Sequence, residues 1–387
     1  MSLGASERQR RILVIGTNNL WGGSEELWRA TAIELAARGH QVTIFRANID
    51  ADRPHFDELR SAGCKVVEAE AFPLFPSAVL QHAARYVPAL LSRAAKRQLV
   101  RTLRTVQPDF TLLSLGLNIH GNFLFPLLRD SGRPYALICN QAGEMYWPAD
   151  YELEPLRAGY SGARFVGFVS HHNWRLTEAQ LGMTIPQARL IRNPFLVPSA
   201  ERTDWPDDAT TKLACVARLW TPEKGQDLIL RVLARPKWKA RPVRLSLFGK
   251  GESREGLEAL ARWLGLENVD FPGFVSDVSS IWSDHHALVL PSRIEGLPLA
   301  LVEAMMSARV PIVTDVGGNA EIVVDGEDGF IAASPTEADL DNALERAWAR
   351  RQEWREIGRK ASTKIRSLVP ERPELDMVAA ILAEMEP

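Results

Sequence analysis

Short apolar runs alternate with stretches of helical period along most of the chain. Arg11–Gly16 (RILVIG) is apolar, ends in glycine and reads as a buried strand. A loop over Thr17–Gly23 leads to a helical stretch over Ser24–Arg38, which Gly39 stops. Gln41–Arg46 is a second strand, Val66-Val67 lies in a short third, and Phe110–Leu115, Tyr135–Cys139 and Phe165–Ser170 continue the series. Helical patterns lie between most of these strands. Such alternation predicts parallel βαβ units with helices on both faces of a sheet.

The pattern then begins again. Lys212–Ala217, Arg244–Phe248, Val269–Phe271, Ala287–Leu290 and Pro311–Thr314 are strand candidates. Helical stretches over Asp227–Ala234, Arg254–Leu264, Ala300–Ser307 and Glu337–Arg351 separate them. Between the two series, Asn193–Pro206 holds three prolines and no helical period, and reads as a linker. The predicted fold class is α/β, with two Rossmann-like doubly wound lobes facing each other across a cleft. Each lobe would hold ligand at its strand C-termini. We place the first lobe at residues 1–198, the second at 199–370, and a last helix over Glu374–Met385, within 371–387, returning to the first lobe.

Composition narrows the function. A chain of 387 residues fits two domains, and 46% hydrophobic with 24% charged residues excludes wholesale disorder. A formal net charge of -2 removes the class of strongly basic nucleic-acid binders. No uncharged apolar run approaches the roughly 18 residues of a membrane span. The start, Met1–Arg8, is polar and is expected to be a loose tail without a signal peptide. Three cysteines, Cys64, Cys139 and Cys215, lie far apart without a C-x-x-C, and there is no N-x-[ST] sequon. A disulfide framework and structural zinc are not expected, and a reducing, cytoplasmic setting is.

Several motifs carry chemistry. Gly22-Gly23-Ser24-Glu25 sits where a strand and loop meet a helix, so backbone N–H groups and a positive dipole end could meet a phosphate. A tight turn with Ser24 as helix cap would need no ligand. The dinucleotide fingerprint G-x-G-x-x-G and the P-loop are both absent. Arg218 and Lys224 stand six apart between a strand and a helix, where two cations suit a diphosphate or simply a solvated loop. Glu295 and Glu303 are eight apart, with Glu295 before a buried helix and Glu303 about two turns into it. A buried carboxylate must be bonded, to a sugar hydroxyl or to neighbouring backbone. Phe248-Gly249-Lys250-Gly251-Glu252, Phe271-Pro272-Gly273-Phe274-Val275-Ser276 and Asp315-Val316-Gly317-Gly318-Asn319-Ala320-Glu321 are further strand exits.

In order, these motifs resemble the second half of the family-4 retaining glycosyltransferases, whose two-lobed Rossmann-like architecture is called GT-B. That family runs from an Arg and a Lys six apart through G-x-G, a P/G-F-V turn and E-x7-E to a G-G-x-x-E loop. Here these are Arg218/Lys224, Gly249/Gly251, Gly273/Phe274/Val275, Glu295/Glu303 and Gly317/Gly318/Glu321. The resemblance is dense from Ala214 to Phe330, thin from Asp50 to Ser161, and includes Gly22/Gly23 with Glu25. It implies a sugar transferred from a nucleotide-diphosphate donor to a hydroxyl of a glycan or lipid-linked acceptor, with the anomeric configuration kept and no metal or other cofactor. By the same resemblance Arg218 and Lys224 bind the diphosphate and stabilise the leaving charge. Glu295 holds hydroxyls of the transferred sugar, Gly296, Leu297, Pro298 and Leu299 line its pocket, and Glu303 bonds the ribose. Val275 contacts the base, Gly249 belongs to the donor side, and Gly22 and Gly23 let the first lobe close over the phosphates. An epimerase or phosphorylase on the same fold, or a non-catalytic sugar-nucleotide or glycan binder, remain alternatives.

The sequence departs from the family where the fifth first-lobe strand commonly ends in histidine. Asn140 or Gln141 stands there, and an amide can hold a hydroxyl but cannot act as a base. The acceptor side is assigned to Asn118, His120, Asn140 and Glu144: His120 could replace the imidazole or be a loop histidine without a role, and Trp147, between Glu144 and Asp150, could stack on a sugar ring or pack its loop. His171-His172 and His285-His286 lack metal-ligand spacing, and Asp50-Ala51-Asp52 is expected to be a solvated turn. Residues 85–104 carry Arg85, Arg93, Lys96, Arg97, Arg101 and Arg104 without an acid. Arg93, Arg97, Arg101 and Arg104 form one stripe, with Leu91, Leu99 and Leu103 on another face. That helix either meets an anionic membrane or lipid-linked acceptor, or is an ordinary amphipathic helix in water.

Overall fold

Arg11–Gly16 and Thr211–Val216 each start a parallel sheet, as their apolar runs require. The structure is a computed structural model and describes residues 8–18, 21–47, 49, 53–69, 88–120, 123–195, 197 and 204–386. The chain divides into two units, one of residues 1–169, 173–193 and 372–387, the other of 170–172 and 194–371. The division thus falls after Asn193 and again after Glu371, a few residues from the expected 198 and 370.

The first unit runs β1 (Arg11–Gly16), α1 (Gly23–Ala37), β2 (Gln41–Arg46), α2 (Arg53–Ser61), β3 (Lys65–Glu68), α3 (Pro88–Val106), β4 (Phe110–Leu115), α4 (Phe125–Asp130), β5 (Tyr135–Cys139), α5 (Asp150–Ser161), β6 (Val166–Phe168), α6 (His171–Leu181) and β7 (Ala188–Leu190). Its seven strands lie in the order β3-β2-β1-β4-β5-β6-β7, and every pairing is parallel. Successive residues of β1 serve opposite faces. Ile12 and Val14 join a core with Leu27, Trp28 and Phe56 of α1 and α2, while Leu13 and Ile15 join Leu99, Phe125 and Leu156 of α3, α4 and α5.

The second unit runs β8 (Thr211–Val216), α7 (Thr221–Lys224), α8 (Gln226–Leu233), α9 (Pro236–Lys239), β9 (Val243–Phe248), α10 (Arg254–Trp263), β10 (Val269–Gly273), α11 (Val278–Asp284), β11 (Ala287–Leu290), α12 (Leu299–Met306), β12 (Val310–Thr314), α13 (Asn319–Ile322), β13 (Phe330–Ala332), α14 (Glu337–Ala349) and α15 (Trp354–Leu368). Its six strands lie in the order β10-β9-β8-β11-β12-β13. The last helix, α16 (Pro373–Ala383), belongs to the first unit, where Met377, Val378 and Ile381 enter the core beside α1.

Several elements escape the sequence reading, among them β7, β13 and α15. Strands β7 and β13 are three residues each, too short for a period to register. Helix α15 carries many charges, and its Trp354, Ile357, Ala361 and Ile365 form a buried stripe of helical spacing. The end of the expected linker is also no free tether: the buried Arg309 guanidinium donates to Asp204 O at 2.5 Å and lies 5.3 Å from the Trp205 ring.

Candidate active site

Both sheets reverse their strand order between the first and fourth strands, and open α/β sheets hold ligands at that switch point, beyond the strand C-termini. In the second unit the flanking strands are β8 and β11. Arg218 follows β8, Lys224 ends α7, and Glu295 follows β11. The sheet order therefore brings together residues far apart in sequence.

Lys224 Nζ lies 2.9 Å from Glu295 Oε1, with both side chains largely buried. Ser292 Oγ donates to the same oxygen at 2.7 Å. Arg218 is exposed and pairs at 2.7 Å with the Glu223 carboxylate. Sequence reasoning missed the clamp that fixes this geometry. Arg293 grips both oxygens of Asp227 at 2.8 and 2.9 Å and donates to Thr221 O at 2.7 Å. The backbone N–H groups of Arg293 and Ile294 donate to Glu223 O at 2.7 and 3.1 Å. The β11 exit thus holds the α7 turn in place, and a planar guanidinium suits such a two-pronged grip.

Two glycines let the loops close. Gly249 has φ 127°, and a Cβ there would stand 2.0 Å from Ala217 O. Its strand exit instead lies flat on the Arg218 loop, where Leu219 N donates to Lys250 O at 2.9 Å. Gly317 has φ 55°, and a Cβ would stand 2.3 Å from Glu295 O. Next to it, Gly318 N donates to Gly296 O at 2.6 Å. Gly296 and Leu297 are buried, and Pro298 and Leu299 are half-buried at the start of α12. Glu303 is buried as expected but lies about one turn into α12, not two, because the helix begins only at Leu299. Val275 is half-buried beside the exposed Phe274.

In the first unit Gly22 is the N-cap of α1 and Gly23 its first residue. The cap expected of Ser24 is supplied instead by Glu25. Its carboxylate accepts from Gly22 N at 3.1 Å, Ser24 Oγ at 2.6 Å and Asn18 Nδ2 at 2.8 Å. Ser24 lies inside the first turn, too far along to cap it. Burial pushes the Glu25 carboxyl above the usual range, against the nearby Arg46 charge and these donors, which pull it down. Asn118 follows β4 and Asn140 follows β5. Asn118 Nδ2 donates to Thr177 Oγ1 at 3.0 Å and Gln180 Oε1 at 2.7 Å, and Asn140 Nδ2 to Ser114 Oγ at 3.1 Å and Leu115 O at 3.0 Å. Their donor sides are spent on the unit itself. His120 is exposed, its Nδ1 accepting from Leu117 N at 3.3 Å, and Glu144 is exposed beside Met145 and Trp147.

Of the other candidates, Arg97, Arg101 and Arg104 of α3 are exposed, while Leu99 and Leu103 are buried. Arg85, Gly121, Asn122, residues 50–52, where a turn is expected, and residues 1–7 lie outside the described residues, as do the side chains of Leu91 and Arg93. Cys64, Cys139 and Cys215 are free and buried. Among the described residues no three His, Cys, Asp or Glu side chains gather as a ligand set for a metal ion, and no helix is long and apolar enough to cross a membrane.

The chain is similar to known proteins in sequence and in fold. Residues 210–350 match the family model for glycosyl transferases group 1. A relative, the Vi polysaccharide biosynthesis protein VipC/TviE of Salmonella typhi, is 30% identical over 207 residues, covering 50% of this chain and 36% of that protein. The putative glycosyltransferase EpsD of Bacillus subtilis is 30% identical over 138 residues, covering 35% of this chain and 36% of its own. The chain thus spans about a third of the length of these curated relatives. Anabaena HepE, solved in complex with UDP and glucose, superposes with a TM-score of 0.74 at 18% identity, covering 97% of this chain and 100% of that one. These likenesses and the two switch-point sheets agree: the chain has the GT-B fold, and its residues 210–350 resemble the glycosyl transferases group 1.

Proposed function

We propose that the chain is a retaining glycosyltransferase that moves a sugar from a nucleotide-diphosphate sugar to a hydroxyl of a glycan or lipid-linked acceptor. One observation carries the reading. At the β8/β11 switch point, within the residues that match the group 1 model, Lys224 pairs with Glu295 while Arg218, on the same strand exit, pairs with Glu223. Arg218 and Lys224 take the diphosphate and stabilise the charge that grows as the bond from the anomeric carbon to phosphate oxygen breaks. They do this without a bound metal. Glu295 Oε1 is engaged by Lys224 and Ser292, so Oε2 is the oxygen that takes a sugar hydroxyl. The acceptor oxygen attacks the anomeric carbon from the side the diphosphate leaves. Its proton passes to the departing phosphate oxygen, a route that needs no side-chain base. The uses named for two relatives, a complex with UDP and glucose and polysaccharide biosynthesis, favour UDP and a glycan. The work is cytoplasmic, and the exposed Arg97, Arg101 and Arg104 rest on anionic lipid when the acceptor is membrane-borne.

A thermal-shift screen with UDP, GDP, ADP, dTDP and CDP tests the donor site. A ligand of the folded state adds about 2.7 kcal/mol at a hundredfold excess over its Kd. We expect one nucleotide to raise the melting point and Arg218→Ala to abolish the rise. The matching nucleotide sugar is then supplied with acceptor glycans, with and without EDTA, and the product's anomeric configuration is read by NMR. No shift and no transfer would overturn the reading in favour of a glycan-binding protein. Product without acceptor, or only with free phosphate, would favour the epimerase or the phosphorylase.

A further inference from the structure

We propose that Glu223 is a resident stand-in for the donor's phosphate, holding Arg218 until the diphosphate displaces it. The inference rests on the donor-site reading above.

Both site cations are neutralised from within, but unequally. Lys224 and Glu295 have side chains only 15% and 7% exposed, and Glu295 is further fixed by Ser292. Separating them would strand a buried charge, so that pair stays intact. Arg218 is 43% exposed and Glu223 16%. Water at the guanidinium makes this second pair weak and exchangeable. An arginine fork accepts a phosphate in the same geometry as a carboxylate, so a diphosphate oxygen can replace Glu223 Oε2 without rebuilding the site.

The backbone is arranged for a side-chain exchange. Glu223 O is held by the N–H groups of Arg293 and Ile294. Arg218 O accepts from Gln226 Nε2 at 2.8 Å and from Trp220 N at 2.8 Å. With both main chains anchored, only the two side chains need turn when an anion arrives. The resident carboxylate also sets a threshold: an anion must outcompete it, which favours a diphosphate gripped at several points over a lone phosphate.

Isothermal titration of UDP, GDP, ADP, dTDP, CDP and inorganic phosphate into the wild type and Glu223→Gln tests this, with melting curves to verify folding. Glu223→Gln is expected to bind the preferred diphosphate about twofold to fivefold tighter, the factor a half-exposed ion pair can withhold. It is also expected to narrow the preference for diphosphate over phosphate. In an Arg218→Ala background the same change should give no gain. Unchanged or weaker binding by Glu223→Gln, while the wild type binds, would overturn the stand-in role alone. An equal gain in the Arg218→Ala background would also overturn it, since the effect would then be general repulsion. If neither protein binds any diphosphate, the donor-site reading falls and this inference falls with it.

Discussion

The exits of β1 and β8 occupy equivalent places in two sheets of the same order, yet they use charge in opposite ways. After β1, Glu25 is buried, takes three hydrogen bonds from its own loop and helix, and shares its surroundings with the buried Arg46. After β8, Arg218 is exposed and its one carboxylate partner sits on an adjacent turn. A charge whose partners are all internal holds a loop in shape. A charge left at the surface with a replaceable partner is available to a ligand. Topology marks both places as ligand positions, and burial separates them.

The sharpest way to break this contrast is Arg46→Met. It leaves Glu25 buried without its cation, and the first unit should lose roughly 3–5 kcal/mol in a denaturant titration followed by tryptophan fluorescence. A loss under about 1 kcal/mol would mean that Glu25 is held neutral. Arg218→Ala should do the reverse, with stability changing by about 1 kcal/mol or less while diphosphate affinity falls about tenfold or more. Calorimetry beside a melting curve measures both, and a large stability loss at unchanged affinity would erase the distinction.

Acid probes the start of β11, at the end of that strand away from the site. Burial holds His285 and His286 below their usual value near 6.5, helped by Arg309 and Lys212 and opposed by Asp284 and Asp208 respectively. Below pH 6.5 the unfolded chain binds protons there that the folded chain refuses, so the stability these imidazoles contribute is full above pH 6.5 and falls as the pH drops. Melting points at pH 7.5, 6.5 and 5.5 should decline in that order, with a smaller decline in His285→Gln. The gentlest probe is thiol alkylation. Burial pushes Cys139 and Cys215 up to about 12 and Cys64 to about 11, so each reacts only as its unit opens. In mild denaturant, labelling of Cys215 against Cys64 and Cys139 reports which unit opens first.

Most of the fold was legible because strands buried on both faces are continuous apolar runs, as in FTLLSL and ALVL. Helix α15 was legible in principle, but its buried stripe is diluted by charge. The site divides similarly. Arg218, Lys224 and Glu295 were readable as cations and a carboxylate at strand exits. The Arg293–Asp227 clamp was not, because its partners stand 66 residues apart and meet only through the β8/β11 pairing. Asn118 and Asn140 show the converse limit: a sequence places an amide at a strand end but does not say that its donor side is already taken by Thr177, Gln180, Ser114 and Leu115.

The return of α16 to the first unit orders events on the ribosome. Residues 194–371 are continuous, and once they have emerged the second unit has all of its core except the short 170–172 segment made earlier. The first unit, though begun first, waits for Met377, Val378 and Ile381 to cover the side of its sheet that carries α1. Until then a nascent chain shows an uncovered apolar surface there, a natural client for a chaperone. A chain cut short at Arg372 would therefore lose part of the core of the first unit, although most of that unit precedes the second in the sequence.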